Sequence, residues 1–337
     1  MLFFIGYQAT KFFFKSIDLH KIISKMPIEI FCMAALPEFG VKWREVAQAV
    51  RNARLPLQPS SIAKVLCRHV STELTAEELN DIVARLRLKL VATQERTWHV
   101  VRLHDKAIDE PIVTTIRALP DRIARAQQLQ YTFYVKFQIH TVLLGDMMYI
   151  SVQLVSSQKE GSVLYIASPP GQDVALTSSL SMVGLLKASI EGLGYKGYEN
   201  ANLYGRDIHS LLRISNQAHN ANADHLARCP EYQPMPVVTP SGIDYTNKTY
   251  DDQYIDTILG PDPPLLTELE IKTTRPFYDR NRLDKSISLS VSLKSDNVAR
   301  TLKSWVQRGA LMPNSDFFKI FHEMKSNRIV YNREDSD

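Results

Sequence analysis

Hydrophobic residues recur at helical spacing through the amino-terminal third of the chain. Asp18 is suited to cap a first helix, and Pro27 is suited to open a second one. Thr75 and Glu78 form a capping-box pattern just before another apolar run. Short helices with short connections predict a small helical bundle, which we assign to residues 1–105.

Alternating apolar and polar residues predict strands in the middle of the chain. A predicted helix over residues 112–127 precedes these strands, and two more helices centre on Leu185 and Leu211. The pattern indicates an α+β domain with an antiparallel sheet, which we assign to residues 106–215. The predicted strands are 131–144, 147–155 and 162–168.

The carboxy-terminal part of the chain divides into two predicted segments. Residues 216–264 lack a stable period, so we expect a linker or long excursion there. Residues 265–337 predict a small β-rich α+β domain, which has little core of its own and needs a partner sheet or the preceding domain. Its edge strands suit augmentation by that partner. The strands concerned are 271–277, 287–293 and 328–331, and the candidate partner-binding residues are Ile271, Ile287, Leu289, Val291, Ile329 and Tyr331.

Charge adds a weak indication of the partner. The 337 residues, enough for two or three compact units, carry 40 Lys and Arg against 36 Asp and Glu, so bulk charge does not identify a nucleic-acid binder. Lys and Arg are frequent in the first hundred residues, whereas acidic residues collect at 73–81 and 251–262. A basic amino-terminal half would attract a polyanion. An ordinary charge-mixed surface is the open alternative.

Signatures of catalysis are missing from the sequence. The glycine-rich run Gly192–Gly197 follows a predicted helix and lacks the phosphate-loop spacing, so we interpret it as a helix end and turn. The histidines show no metal-ligand spacing, and the serines of TSSLS have no nucleophile elbow around them. We therefore expect no enzyme, cofactor or metal. A pocket of converging polar groups with shifted pKa values would instead support an enzyme.

The cysteines and the amino terminus bear on the compartment. Cys32, Cys67 and Cys229 are few and far apart, which argues against a disulfide framework and favours cytosol or nucleus.

The apolar start MLFFIGYQATKFFF is too short to span a bilayer. It is an extension, part of a first amphipathic helix or, least expected, a membrane anchor. We expect no membrane partner.

Several basic residues lie where phosphate contacts are common. His20, Lys21 and Lys25 share roughly half of one predicted helix. Arg96 precedes an extended run, and Arg206 lies in a turn at a predicted helix start. Cations near backbone amides of this kind suit phosphate binding. Scattered surface charge is the alternative interpretation.

Four sequence blocks together resemble the centromere protein N family. They are KIISKMPIEIF, then SIAKVLCRHVSTELTAEELNDIVARL with the later TWHVV, then VALTSS with LYGRDIHSLL, and finally KIFHEMKSNRIVYNRE. No single block is specific, but their order matches the family over most of the chain. The resemblance implies a pyrin-like amino-terminal domain and an α+β homology domain that together form a basic groove.

The resemblance also implies partners and a location. In this family the groove holds nucleosomal DNA, and the first helix contacts the centromeric histone variant CENP-A. A carboxy-terminal domain pairs with centromere protein L, and the complex joins other inner-kinetochore subunits at the centromere in the nucleus. The implied function is kinetochore assembly and chromosome segregation.

The family's site residues transfer only in part. Lys21 and Lys25 match basic positions of the first helix, and Arg96 and Arg206 match basic positions further on. His20 replaces another basic position, and Arg51 and Arg54 lie beside a loop that is basic in the family but is LPLQP here. The candidate nucleosome-binding residues are His20, Lys21, Lys25, Arg51, Arg54, Arg96 and Arg206.

Other positions depart from the family pattern. Tyr204 replaces an arginine, Met182 and Val183 stand where a basic pair is expected, and Phe13 and Ile17 replace acidic positions that face the histone. These departures motivate an alternative function, in which the chain pairs with a partner through its carboxy-terminal sheet and does not bind nucleosomes.

Overall fold

The chain forms an α+β structure that contains an antiparallel sheet. The computed structural model describes residues 16–107, 112–130, 136–155, 160–219, 231–233, 236–244, 248–260, 262–279, 282–315, 317–318, 321 and 324–331. Contacts divide the chain into two compact units. The first draws on Met1–Glu95, Asp105–Gln172 and Ser181–Gly197, and the second draws on Arg96–His104, Asp173–Leu180 and Tyr198–Asp337. The domains assigned above are continuous in sequence, unlike these units, and they stay predictions.

Helices fill the first part of the described residues, and strands interspersed with helices follow from Trp98 onward. The helices are α1 (16–25), α2 (Ile28–Ile30), α3 (Trp43–Asn52), α4 (Pro59–Glu73), α5 (Ala76–Thr93), α6 (Ile112–Gln130), α7 (Val183–Gly192), α8 (Ile208–His219), α9 (Lys248–Leu259) and α10 (Val298–Gln307). The strands are β1 (Trp98–Lys106), β2 (Lys136–Leu144), β3 (Met147–Val155), β4 (Glu160–Ser168), β5 (Val174–Thr177), β6 (Tyr195–Gly205), β7 (Val237–Thr239), β8 (Gly242–Asp244), β9 (Glu268–Asp279), β10 (Arg282–Lys294) and β11 (Arg328–Tyr331).

A helical bundle opens the first unit. Helices α1 to α5 surround one apolar core, and an irregular pair of turns at Phe31–Ala35 and Leu36–Phe39 continues α2. The predicted capping box is confirmed, because the Thr75 N–H donates to the Glu78 carboxylate at 2.9 Å. Core side chains that are almost fully buried include Leu19, Ile23, Phe31, Val50, Leu66, Leu79 and Leu86.

The start of α1 differs from the prediction. The helix already includes Ser16, so Asp18 lies inside it and does not cap it. The Asp18 carboxylate accepts a hydrogen bond from Arg87 at 3.4 Å instead. A tertiary contact therefore uses the side chain that the local pattern assigned to a cap. Phe13 falls outside the described residues.

The rest of the first unit is a sheet with two helices. Strands β2, β3 and β4 are antiparallel neighbours in that order, and α6 packs closely against α7. This close approach depends on Gly192, since an added Cβ there would lie 2.5 Å from Cγ1 of Ile123. The helix predicted over 112–127 and the strand predicted over 147–155 are both confirmed.

The second unit contains β1, where the sequence predicted an extended run, and two strands, β5 and β6, that the sequence pattern did not reveal. Strands β5, β1 and β6 are neighbours in that order, and β1 and β5 run antiparallel. The predicted turn near Gly192–Gly197 is present only at Leu193 and Gly194, after which β6 begins. Because β6 contains turn-forming residues, its sequence does not indicate a strand. The strand forms by pairing with β1.

The predicted linker is partly built from regular structure. Within residues 216–264, β7 and β8 form a hairpin and α9 spans Lys248–Leu259. Helix α9 buries Ile255, Ile258 and Leu259. These few apolar positions lie among Asp, Tyr and Thr residues, so they gave no clear period in the sequence.

The carboxy-terminal sheet has the order β10-β9-β11. Strand β10 is antiparallel to β9, and β11 is parallel to β9. The predicted cap of α10 is confirmed, since Asn297 Oδ1 accepts the Arg300 N–H at 3.0 Å. The predicted strand at 328–331 is also present.

Candidate nucleic-acid interface

Helix α1 presents a pair of exposed lysines. Lys21 and Lys25 are four residues apart, so they lie on the same face, and both are exposed. His20 is half-buried, and its Nδ1 lies 3.5 Å from the Ser24 hydroxyl. Of the three basic residues predicted on this helix, the two lysines are therefore available to a ligand.

Helix α3 and its end present further cations. Arg44 and Arg51 are seven residues apart, which places them on one helical face, and both are exposed. Arg54 is exposed just beyond the helix, in a left-handed conformation with φ of 56°. The Arg54 N–H donates to the Arg51 carbonyl at 2.9 Å, which fixes this turn. The predicted Arg51 and Arg54 are thus close together at one end of α3.

Helix α4 adds a pair that sequence analysis missed. Lys64 and Arg68 are four residues apart and both are exposed. The signal was present in the sequence, because two cations at this spacing lie on one face of a predicted helix.

The charge balance of α1 to α4 is strongly basic at the surface. Residues 16–70 contain four acidic residues, and two of them are engaged by cations of α5. Glu38 accepts hydrogen bonds from Arg85 at 2.8 Å and from Lys89 at 2.6 Å, and Asp18 accepts one from Arg87. The eight Lys and Arg side chains of this segment, all exposed, are Lys21, Lys25, Lys42, Arg44, Arg51, Arg54, Lys64 and Arg68.

Arg96 and Arg206 belong to the second unit. Arg96 is half-buried just before β1, whereas Arg206 is exposed between β6 and α8. The neighbouring Asp207 caps α8 by accepting the Ser210 N–H at 2.8 Å. Arg206 therefore lies at a helix start, as the sequence predicted.

Tyr204, which stands where the centromere protein N family has an arginine, has acidic neighbours. The Tyr204 ring lies 5.7 Å from the His99 ring. Burial and the carboxylates of Glu268 and Glu270 raise the pKa of Tyr204, and Glu268 also hydrogen-bonds to it. This environment does not suit a phosphate, so Tyr204 does not substitute for the missing cation.

The carboxy-terminal sheet exposes apolar side chains along β10. Ile287 and Leu289 are 52% and 57% exposed, and the alternating residues Ser288 and Ser290 project to the opposite face. Val291 and Ile329 are half-buried, and both pair with Ile271 in the register of the sheet. One face of this sheet is thus apolar and partly uncovered.

The prediction that Ile271 lies on an edge strand was wrong. An edge strand would have let a partner strand pair with it. Strand β9 is instead the central strand, and the Ile271 side chain is only 7% exposed. Pairing on both sides by β10 and β11 leaves no free backbone edge there, so Ile271 supports the fold. Tyr331 pairs with Thr273 through β11.

The first unit contains a small polar cleft between α5 and its sheet. Its floor holds two rows of residues in register, Gln138 with Gln153 and His140 with Ser151. Burial is the main cause that lowers the pKa of His140, and within the described part of the chain its buried Nε2 has no hydrogen-bond partner. The space within the cleft is about 20 Å³, enough for roughly one water molecule. The cleft thus combines converging polar groups with a histidine whose pKa is lowered.

Within the described ranges, none of the helices is both long enough and apolar enough to cross a membrane. Among the same residues, no three His, Cys, Asp or Glu side chains are grouped so that they could hold a metal ion.

Comparisons with known proteins assign no family to the chain. No protein-family model and no curated protein matches the sequence. The resemblance to centromere protein N consequently rests on the four sequence blocks alone.

Proposed function

We propose that this chain is an inner-kinetochore subunit related to centromere protein N. In this proposal it binds centromeric nucleosomes through DNA and the histone variant CENP-A, and its amino-terminal bundle is pyrin-like. It pairs with centromere protein L, contacts other inner-kinetochore subunits, and acts in the nucleus at the centromere. The role is kinetochore assembly for chromosome segregation, with no catalysis.

The observation that carries the DNA-binding part is the charge of α1, α3 and α4. Each helix presents at least two exposed cations on one face, while Asp18 and Glu38 are engaged by α5. The exposed surface of residues 16–70 is therefore more basic than the amino-acid composition of these residues indicates. Phosphate contacts by such cations supply most of the affinity and all of the salt dependence of nucleosomal DNA binding.

The test is a titration of the full chain against DNA and nucleosomes at several salt concentrations. We would replace Lys21, Lys25, Arg51 and Arg54 by Gln, and compare this variant with one in which Lys196, Arg300, Arg308 and Lys325 are replaced by Gln. All eight residues are exposed, and both variants lose four positive charges. The two variants therefore have the same net charge and differ only in where the charge was removed.

The expected result is specific to the first variant. Each lost phosphate contact should flatten the log–log salt slope by about 0.9, so its affinity becomes both weaker and less salt-dependent. The second variant should keep the wild-type slope. Equal slopes in the two variants would contradict the assignment of the interface to these helices.

Recognition of the centromeric histone requires a separate comparison. Tighter binding to nucleosomes that contain CENP-A than to ordinary nucleosomes is the expected result. Equal binding to the two particles would leave a DNA-binding protein without histone specificity. Ile17 stands at a position that is acidic in the family, and it is half-buried in α1. We would mutate this residue first, whichever of the two results is obtained.

A second function is favoured by the uncovered apolar side chains of β10. Ile287 and Leu289 are exposed, and β10 is an edge strand of the carboxy-terminal sheet. A scaffold that pairs with centromere protein L through this strand, without binding nucleosomes, would use the same surface. Co-purification of the two proteins that is lost in Leu289→Lys but kept in Ser290→Lys, with no DNA affinity at low salt, would support this function over the first.

A further inference from the structure

Three tyrosines of the second unit form one cluster. Tyr250 and Tyr254 are four residues apart on α9, and Tyr232 packs against both from the short segment before the β7–β8 hairpin. The ring centroids of Tyr232 lie 5.7 Å from Tyr250 and 5.0 Å from Tyr254, and those of Tyr250 and Tyr254 lie 6.1 Å apart. All three side chains are only half-buried, so solvent reaches the cluster.

The three rings are inclined to one another at different angles. Tyr250 and Tyr254 are inclined by 26°, Tyr232 and Tyr250 by 43°, and Tyr232 and Tyr254 by 66°. The three centroids lie on a circle with a radius of about 3.3 Å, so one cation close above its centre lies within about 6 Å of every centroid. At this distance a ring attracts an ammonium group that lies over its face.

Hydrogen bonds fix the positions of the tyrosine side chains and place a negatively charged carboxylate beside them. The Tyr232 hydroxyl donates to Asp251 Oδ1 at 2.7 Å, and the Tyr250 hydroxyl accepts the Gln233 N–H at 3.1 Å. Burial and the Asp251 carboxylate raise the pKa of Tyr232 to about 12, so this hydroxyl remains a donor at neutral pH. A carboxylate is therefore fixed beside the rings, and it also attracts a cation.

The surroundings of the cluster are acidic. Glu231 and Asp252 adjoin Tyr232 and Asp251 in sequence, and Asp256 lies on the same helix, where it pairs with Lys303. Lys248 is the single Lys or Arg within the described residues 231–233 and 248–256. A ligand at this surface would meet aromatic faces at its centre and carboxylates at the rim.

We propose that Tyr232, Tyr250 and Tyr254 form a binding site for a methylated lysine side chain of a basic peptide. Methyl groups on the ammonium make it larger and less hydrated, so its transfer to an aromatic surface costs less than for an unmodified lysine. The acidic rim favours further Lys or Arg residues beside the methylated one. The zwitterionic choline headgroup of a lipid has the same cation but brings a phosphate, which these carboxylates would repel.

The test uses a fluorescent peptide with one trimethyl-lysine between arginines, bound to the full chain. Matched peptides carry unmodified lysine, or a neutral side chain with a tert-butyl group in place of the trimethylammonium. Binding of the trimethyl peptide should be on the order of tenfold tighter than binding of either control. Comparable binding of the neutral peptide would show that positive charge is not recognised, which would overturn the proposal.

Variants of the cluster locate the site. Tyr254→Leu removes one ring, and should abolish the preference for the methylated peptide. Tyr254→Phe keeps the ring, and should preserve that preference, while near-ultraviolet circular dichroism verifies that both variants keep their packing. A preference retained by folded Tyr254→Leu would place methyl-lysine binding elsewhere and overturn the assignment.

A competition experiment separates the two sources of a methylated ammonium. Free trimethyl-lysine should displace the fluorescent peptide, whereas phosphocholine at the same concentration should not. Displacement by phosphocholine alone would indicate a lipid headgroup site and reject the peptide. The unmodified nucleosome titrations above do not depend on this site, so the two proposals can fail independently.

Discussion

The Asn327 side-chain carbonyl accepts the backbone N–H of Tyr204 at 2.6 Å, although the two residues are 123 positions apart in sequence. Its amide group also donates to the Glu268 carbonyl at 2.6 Å, and its backbone N–H donates to Asn202 at 3.0 Å. With only 1% of its surface exposed, Asn327 joins the end of β6 to the start of β9. One side-chain amide thus satisfies backbone groups of two different strands.

Asn327→Ala should lower the free energy of unfolding by about 3 kcal/mol, because it leaves the Tyr204 N–H and the Glu268 carbonyl without their partner. Urea denaturation measures this loss. Asn314→Ala is the control, since Asn314 is exposed in a turn and its replacement should change stability little. Equal losses in the two variants would show that the amide contributes no particular stability.

Glu38→Gln should destabilise the chain at neutral pH by about 2 kcal/mol, because Lys89 and Arg85 lose their anionic partner. Burial alone would raise the pKa of Glu38, but the hydrogen bonds and charges of Lys89 and Arg85 outweigh burial and lower that pKa. The wild type therefore gains stability from this carboxylate above the unfolded pKa of about 4.3, and loses it as the pH falls through the folded value.

The difference in unfolding free energy between Glu38→Gln and the wild type should consequently shrink in acid. Denaturation at a series of pH values from neutral to acid tests this expectation. Glu29→Gln is a matched control, because Glu29 is exposed on a neighbouring helix. A Glu38→Gln difference that stays constant with pH would contradict the role of the ionised carboxylate.

His140→Gln should flatten the loss of stability between neutral pH and mild acid. Burial lowers the pKa of His140 in the fold, so the unfolded chain takes up a proton first as the pH falls below about 6.5. Stability is then lost progressively until the pH reaches the folded pKa. His209→Gln is the control, since His209 is exposed on α8. An unchanged pH dependence in His140→Gln would mean that the imidazole is not held neutral.

Gly192→Ala should destabilise the first unit by about 2 kcal/mol, even though alanine favours a helix. The added Cβ would lie 2.5 Å from Ile123 Cγ1 and 3.3 Å from the Ile123 backbone nitrogen, so α6 must move. Gly205→Ala is the comparison, because its nearest neighbour is the flexible end of Leu211 at 3.3 Å. Thermal unfolding of both variants measures the difference, and an equal or smaller effect at Gly192 would contradict the close helix contact.

Sequence patterns correctly predicted the caps and strands that depend on residues close together in the sequence. The capping box at Thr75 and the cap at Asn297 were correct because a cap is completed within three residues. The serine alternation of β10 correctly indicated a strand with one apolar face. The sequence could not show that β9 is central, since its two neighbours come from different distances along the chain.

Elements that depend on distant partners were missed. Strand β6 contains Gly197 and Asn202, the latter with φ of 50°, and its pairing with β1 outweighs these local preferences. The candidate interface was predicted in part: Lys21, Lys25, Arg51 and Arg54 are exposed as expected. The engagement of Asp18 and Glu38 by α5, which makes their surface more basic, required tertiary contacts to be seen.

The amide of Asn327 also sets an order of events during synthesis. Strands β5, β1 and β6 leave the ribosome long before Asn327 is translated, so the link between β6 and β9 is missing until synthesis passes that point. Products that stop before Asn327 should therefore have a less stable second unit, and a protease should digest them faster than the full chain.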